Sequence, residues 1–294
     1  MTDTTATFVS CARDAIKRLV PVVVSAAGSP SATISTKRDG SLVTTTDTLV
    51  EAELKRELSS VLPGIPILGE EGAIDCLQVT NSRSDDAYAT FFETHLQIIV
   101  DPIDGTRNFV AGRSAYCIAA ALTESVETGI WPVASVVAIP AEQMLVWSDG
   151  QKVYSEHLIS GDVAELRRSN ASPPSLSVNS RDRAWLAAEG FSLNLPWVSS
   201  GSSVYDLIGC ALGRLRGSVV GSQRLWDLMA PLGIACCLDM VLIDIRSGEE
   251  ITCIVKSDLS QELDVRPWGL ERRMVLVARG LALQELLVHR KVIA

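Results

Sequence analysis

Apolar residues recur at helical spacing near the start of the chain, where Phe8, Ala12, Ile16, Leu19 and Val23 predict an amphipathic helix. A Ser/Thr/Gly-rich stretch from Ser29 to Asp47 then reads as a polar loop leading into a strand. Asp47 and Thr48 open a second helix with a buried stripe of Val50, Leu54, Leu58 and Val61. Thr48 and Glu51 have capping-box spacing, and Pro63-Gly64 end the helix. "IPILGEEG" predicts a short strand and a turn, the polar segment from Asp75 to Thr94 an inserted loop, and "LQIIVDP" a buried strand. Strands follow between Tyr116 and Trp147. Around Asn170 to Ser177 a Ser/Pro-rich connector leads to helices over Ser203–Gly213 and Trp226–Leu238, with short strands between and after them. The pattern is α+β in two sheet-bearing halves, residues 1–160 and 161–294, without sustained βαβ alternation.

Composition narrows the class. At 294 residues, 47% hydrophobic and 21% charged, the chain can bury a sizeable, mainly aliphatic core. A formal charge of −9 with no basic stripe argues against nucleic acid as a partner. Membrane spans are not expected. The run "LVPVVVSAA" after Lys17-Arg18 is short, broken by Pro21 and preceded by Asp3 and Asp14, which does not fit a signal peptide. Seven scattered cysteines give no disulfide framework and no zinc spacing, so a reducing cytoplasm is expected.

The candidate chemistry lies in acidic residues at the ends of elements: Asp47, Glu70, Glu71, Asp101, Asp104 and Asp227. Asp47 and Asp227 also fit plain helix caps, and Glu70-Glu71 a turn between glycines. The stretch "VDPIDGTRNFV" is harder to read as a surface turn. Asp101 closes an apolar strand, an expensive place for a carboxylate without a partner. Pro102 fixes one backbone angle, so the turn should project Asp101 and Asp104 to one side and bare the carbonyl of Ile103. Oxygen ligands of this kind suit Mg²⁺, and the backbone N–H groups of Gly105 and Thr106 suit a phosphate.

"VDPIDGTRNF" resembles the signature of the inositol monophosphatase family, within the lithium-sensitive, magnesium-dependent phosphomonoesterase superfamily. "LWDLMAPLGIA" is similar to the family's second signature, "GEEG" to its upstream Gly-Glu-Glu element and "LVTTTD" to the segment before that. The resemblance implies a layered αβαβα fold, a homodimer, and hydrolysis of a small sugar, cyclitol or amino-alcohol monophosphate with two or three Mg²⁺ ions. Glu70, Asp101 and the Ile103 carbonyl would hold one ion, and Asp101, Asp104 and Asp227 a second. Thr106, bonded to Asp47, would with Glu70 orient and deprotonate the attacking water. Gly105 and Thr106 would hold the phosphate, and Gly201, Ser202 and Ser203 would meet the substrate. Glu71 would be structural, and Lys37 would sit in the loop that closes over the metals.

Two departures matter. The family's inositol-binding acidic residue lies seven positions before the Trp-Asp aspartate, where this chain has Val220, so a strong preference for inositol phosphate is not expected. A carboxylate restored at 220 is expected to raise that preference. Cys237-Leu238-Asp239-Met240 replaces a glycine-bearing stretch after the second signature helix. Within the superfamily, a histidinol-phosphate phosphatase, a nucleotide 3′-phosphatase and a fructose-bisphosphatase-like enzyme are alternatives. A non-catalytic regulatory protein on the same fold is the alternative of another class.

Overall fold

Helix α1 (Asp3–Ala26) buries Phe8, Ala12, Ile16, Leu19 and Val23, as their spacing predicts. The structure, a computed structural model, describes residues 3–29, 33–37, 40–71, 90–127, 129–168, 173–260 and 268–289. A hairpin of β1 (Ile34–Thr36) and β2 (Leu42–Thr44) leads into α2 (Thr45–Val61). That helix starts earlier than the sequence pattern suggests. Its capping box joins Thr44 and Asp47, not Thr48 and Glu51, because Thr44 is the last extended residue and can face both orphan N–H groups. Val50, Leu54 and Leu58 are buried, whereas Val61 in the last turn is exposed and Leu62 takes its place. Of the loop expected over Asp75–Thr94, residues up to 89 lie outside the described residues, and residues 90–93 form a short helical turn.

The first sheet runs β3 (Ile67–Gly69), β4 (Leu96–Asp104), β5 (Cys117–Val126), β6 (Gly129–Ile139), β7 (Met144–Ser148), β8 (Val153–His157) and β9 (Val163–Leu166) in spatial order. Only β3 and β4 are parallel; each later strand pairs antiparallel with its neighbour. A short helix, α3 (Thr106–Val110), follows β4. The second half contributes β10 (Leu176–Ser177), α4 (Ser180–Ala188), β11 (Phe191–Leu193), β12 (Trp197–Val198), α5 (Ser203–Ala211), β13 (Gly217–Val220), α6 (Leu225–Cys236), β14 (Met240–Asp244), β15 (Glu250–Ile251), β16 (Ile254–Val255) and β17 (Met274–Ala278). Its sheet has the order β12-β10-β13-β17-β14-β15, while β16 crosses over to pair with β6.

Strand alternation sorts the side chains into layers. Ile98, Val100, Ile118, Ala120 and Leu122 face α1 and α2. Ile99, Ala119 and Ala121 face α5 and α6, which also receive Met274, Leu276 and Val220 from the second sheet. Val219, Val275 and Val277 turn the other way, onto Leu186 of α4. The result is the αβαβα stack expected for this α+β chain. Among the described residues, no helix is long and apolar enough to cross a membrane.

Val220 therefore does not face a substrate. It is fully buried on the α5/α6 side of β13, where alternation sends it into the core. The expectation that a carboxylate there would tune specificity is corrected by this placement. Val220→Glu should instead lower stability by about 3 kcal/mol or more, the scale of burying an unpaired charge. Thermal denaturation checks this; a variant as stable as the parent with altered substrate preference would contradict the packing.

Candidate active site

In a regular strand, residues three apart face opposite sides. The register of β4 against β5 breaks between Asp101, opposite Ala119, and Asp104, opposite Cys117. Pro102 has no N–H to offer the ladder, so a bulge forms where it sits. That irregularity brings the two aspartates together. With Asp227 from the first turn of α6, their carboxylate oxygens lie within 4.8 Å of one another.

The three carboxylates are held differently. Asp104 accepts the backbone N–H groups of Ser203 (3.2 Å) and Val204 (2.9 Å) at the start of α5, and the Ser202 hydroxyl as well. Asp227 accepts the backbone N–H of Arg224 at 2.8 Å. Asp101 is fully buried, and neither of its oxygens has a hydrogen-bond partner among the described residues. An orphaned, buried carboxylate is costly unless it is protonated or bound to a cation. Three convergent carboxylates, one of them unpartnered, are a donor set for a hard divalent cation.

Glu70 stands just outside this cluster. It lies in the turn after β3, and Lys37 donates to it (2.7 Å) and to Glu71 (2.6 Å). Asp47, in the first turn of α2, is tied through one oxygen to Thr44 and through the other to the Thr106 hydroxyl at 3.2 Å. The same hydroxyl lies 3.1 Å from the Ile103 carbonyl. Having one proton, Thr106 can give it to only one of these acceptors at a time. Gly105 has φ 85°, and a Cβ there would come 2.7 Å from the Ala115 carbonyl, so only glycine fits the turn.

Electrostatics follow the crowding. Burial, then the charges of Glu70, Asp104 and Asp227, hold the Asp101 carboxyl well above the usual range. Burial and Asp227 push Asp104 up to about 7, against the hydrogen bonds from Ser202, Val204 and Ser203. Burial raises Glu70 to about 8; Glu71 and Asp227 add to the rise, and Lys37 opposes it.

Of the residues singled out from sequence, Asp101, Asp104 and Asp227 meet directly, the Thr106 hydroxyl lies within reach of both Asp47 and the Ile103 carbonyl, and Glu70 joins Lys37 and Glu71 beside them. Ser203 lines the cleft that opens over Glu70 and Asp227, a cavity of about 370 Å³. Ser202 is buried: it caps α5 and supports Asp104. Gly201 packs on the Asn108 amide.

Sequence reasoning missed two supports. Asn108 bonds the carbonyls of Ala115 (2.7 Å) and Ser200 (2.9 Å), joining α3 to the entrance of α5. Glu51, assigned from sequence to a cap, instead accepts the Glu71 backbone N–H at 2.7 Å while Lys55 neutralises it at 3.0 Å. A Cβ on Gly69 would lie 2.4 Å from the Glu51 carboxylate, which explains the glycine. The "GEEG" turn carried the signal for Gly69. The spacing marked Glu51 only for a capping box, not for this contact.

Clustered aspartates between two sheets of a five-layer stack, beside a hydroxyl–carboxylate pair, form a donor set able to hold a divalent cation on a layered αβαβα scaffold. The chain belongs to the inositol monophosphatase family, whose sequence pattern matches residues 5–282. It is 35% identical over 154 residues to a histidinol-phosphatase of Mycobacterium tuberculosis, covering 49% of this chain and 51% of that protein. The chain spans less than two thirds of the length of curated relatives it matches, 64%, 51% and 38% for three of them. The fold is similar to that of a Thermotoga maritima IMPase (TM-score 0.63, 19% identity, 89% and 88% of the two chains). It is also similar to that of an IMPase/NADP phosphatase complexed with NADP and Ca²⁺ (TM-score 0.63, 17% identity, 92% and 89%).

Two outcomes test the site. Carboxyls whose folded pKa is raised bind more protons folded than unfolded, so stability falls as pH climbs from their unfolded values near 4 through about 7 and 8 for Asp104 and Glu70. The chelated protein should thus melt roughly 5 °C or more lower at pH 8 than at pH 5, and Mg²⁺ should remove that slope. A chelated protein that gains stability with rising pH would refute this. Separately, Gly69→Ala should cost about 1–3 kcal/mol by displacing Glu51, and should weaken Mg²⁺-induced stabilisation in the same melting assay.

Proposed function

We propose that this protein is a Mg²⁺-dependent phosphatase that hydrolyses a small phosphate monoester. The observation that carries the reading is the fully buried, unpartnered Asp101 carboxylate converging with Asp104 and Asp227 beside the Thr106–Asp47 pair. Glu70, Asp101, the Ile103 carbonyl, Asp104 and Asp227 would hold the ions. When bound, Mg²⁺ supplies Lewis acidity toward phosphate oxygens and makes water more acidic.

The chain's own groups supply orientation and proton handling. Donation of the Thr106 proton to Asp47 leaves a lone pair on Thr106 Oγ1 free to accept a hydrogen bond from water. Thr106 and Glu70 then aim that water at phosphorus in line with the ester oxygen. As the new P–O bond forms and the ester P–O bond breaks, the water's proton passes toward the Thr106–Asp47 pair and the departing alkoxide takes a proton from solvent. Asp47 suits that task, because burial raises its pKa against the hydrogen bonds from Thr44 and Thr106. Gly105 and Thr106 N–H groups cradle the phosphate, and Ser203 meets the attached group.

Names among the relatives support a small phosphorylated metabolite: one is a histidinol-phosphatase, another an inositol monophosphatase. A homodimer is assigned on family resemblance alone, and a cytoplasmic location on the cysteine pattern alone. With Mg²⁺ present, phosphate release should be readily measured, and Asp101→Asn should abolish it. Thr106→Ala should slow turnover by about 10²-fold while leaving Mg²⁺-induced stabilisation intact. Full turnover in excess chelator would sink the proposal, and loss of rate and metal binding together in Thr106→Ala would make Thr106 structural.

A further inference from the structure

Most described arginines are neutralised by a carboxylate, as an acidic chain allows. Arg13 pairs with Glu156, Arg214 with Glu142, Arg272 with Asp244, Arg273 with Asp182 and Arg279 with Glu250. In the cleft over Asp227, Arg107 and Arg181 fall outside this pattern, with no carboxylate partner among the described residues. Three arginines from separate elements line the cleft: Arg107 of α3, Arg181 in the first turn of α4, and Arg224 just before α6. Arg107 is exposed, and its described partner is the Gly40 carbonyl at 3.3 Å. Arg181 is exposed and has no ion-pair or hydrogen-bond partner among the described residues. Arg224 is half-buried, with its guanidinium over the Trp226 ring at 5.9 Å from the centroid.

Guanidinium groups are forks of N–H donors suited to phosphate and carboxylate oxygens. The scissile phosphate already has a place between the aspartates and the Gly105-Thr106 turn. The arginines therefore meet what is attached to it. We propose that the substrate carries a second anionic group, a phosphate or a carboxylate, on its leaving alcohol, and that Arg107, Arg181 and Arg224 bind that group. The inference rests on the phosphatase reading above.

The lining contains a further group of the right kind. Ser180 adds a neutral donor beside the arginines, whereas the Asn179 amide donates to Asp182 and Ser222 and the Ser222 hydroxyl donates to Asp182; about 370 Å³ of space admits a small doubly charged molecule. Glu70 and Asp227, the carboxylates of the lining, belong to the cation-binding side. A neutral polyol would accept hydrogen bonds from the guanidinium groups but would gain none of the charge pairing or bidentate geometry that an anion gains. An ammonium-bearing leaving group would meet like charge, which turns the amino-alcohol phosphates into the poorest candidates.

The test measures kcat/KM of the full chain with Mg²⁺ on substrates of similar size. These are a sugar bisphosphate, a phosphorylated hydroxy acid, myo-inositol 1-phosphate and histidinol phosphate, with p-nitrophenyl phosphate as the activity control. At least one doubly anionic substrate should exceed the inositol phosphate by about tenfold or more, the scale of one charge-assisted hydrogen bond, and histidinol phosphate should be poorest. The better of the bisphosphate and the hydroxy acid identifies the second group as phosphate or carboxylate. Arg181→Gln and Arg224→Gln should each reduce that preference ratio about tenfold, with partial recovery in Arg181→Lys. Equal kcat/KM across the panel would overturn the inference while leaving the phosphatase reading intact. So would variants that slow every substrate by one factor, since the arginines would then hold the scissile phosphate. If the control and the whole panel go unhydrolysed, the phosphatase reading falls and this inference with it.

Discussion

Asp101 sets the terms for the rest of the molecule. A carboxylate removed from water, accepting no hydrogen bond and crowded by Asp104, Asp227 and Glu70, opposes folding unless protons or cations compensate it. It stays in place because the strand carrying it is locked. Ile98 and Val100 anchor one face of β4 in the α1/α2 core, and Ile99 anchors the other against α5 and α6. Burying side chains of that size contributes about 1.5–3 kcal/mol each. The two cores thus hold a local arrangement that its own electrostatics would open.

The remaining carboxylates are fixed by backbone amides near helix starts. Asp104 sits at the N-terminus of α5, Asp227 in the first turn of α6 and Asp47 in the first turn of α2. There the N–H groups that no helical carbonyl can satisfy are available, and the helix dipole favours negative charge. Anchoring by amides fixes a carboxylate's direction while leaving lone pairs for a cation. A guanidinium partner would neutralise the same group and spoil it as a ligand. Lys37 bridges Glu70 and Glu71 and is the exception.

Much of this was legible in the sequence, for definable reasons. The apolar run into Asp101, Pro102 and the following Gly-Thr encode a bulge whose parts are adjacent, so local chemistry exposes it. The α1 stripe was equally plain, because one helix face repeats. What escaped depends on contacts distant in sequence. Whether Thr44 or Thr48 caps α2 depends on where β2 stops, which its pairing with β1 decides. Glu51 was assigned to a cap because nothing local reveals that it reaches the turn of Glu71. Val220 was misread for a related reason. Counting back from Asp227 gives a position but not a direction, and alternation along β13 turns that side chain into the core.

The three cleft arginines extend that point. At positions 107, 181 and 224 they share no period, and in sequence each looks like a solvated surface residue. Folding brings them to one cavity because α3, α4 and α6 all begin where strands of the two sheets end. The same geometry that supplies amides to the aspartates thus delivers guanidinium groups beside them. Asp104 and Asp47 are anchored by backbone amides and hydroxyls, with no arginine among their partners in the described residues, so the acidic cluster and the cleft arginines can stand side by side. Among the described residues, Arg107 and Arg181 pair with none of the cluster's carboxylates. In a protein with a net charge of −9, such a cavity would offer an anion a locally cationic entrance where the molecule as a whole would repel it.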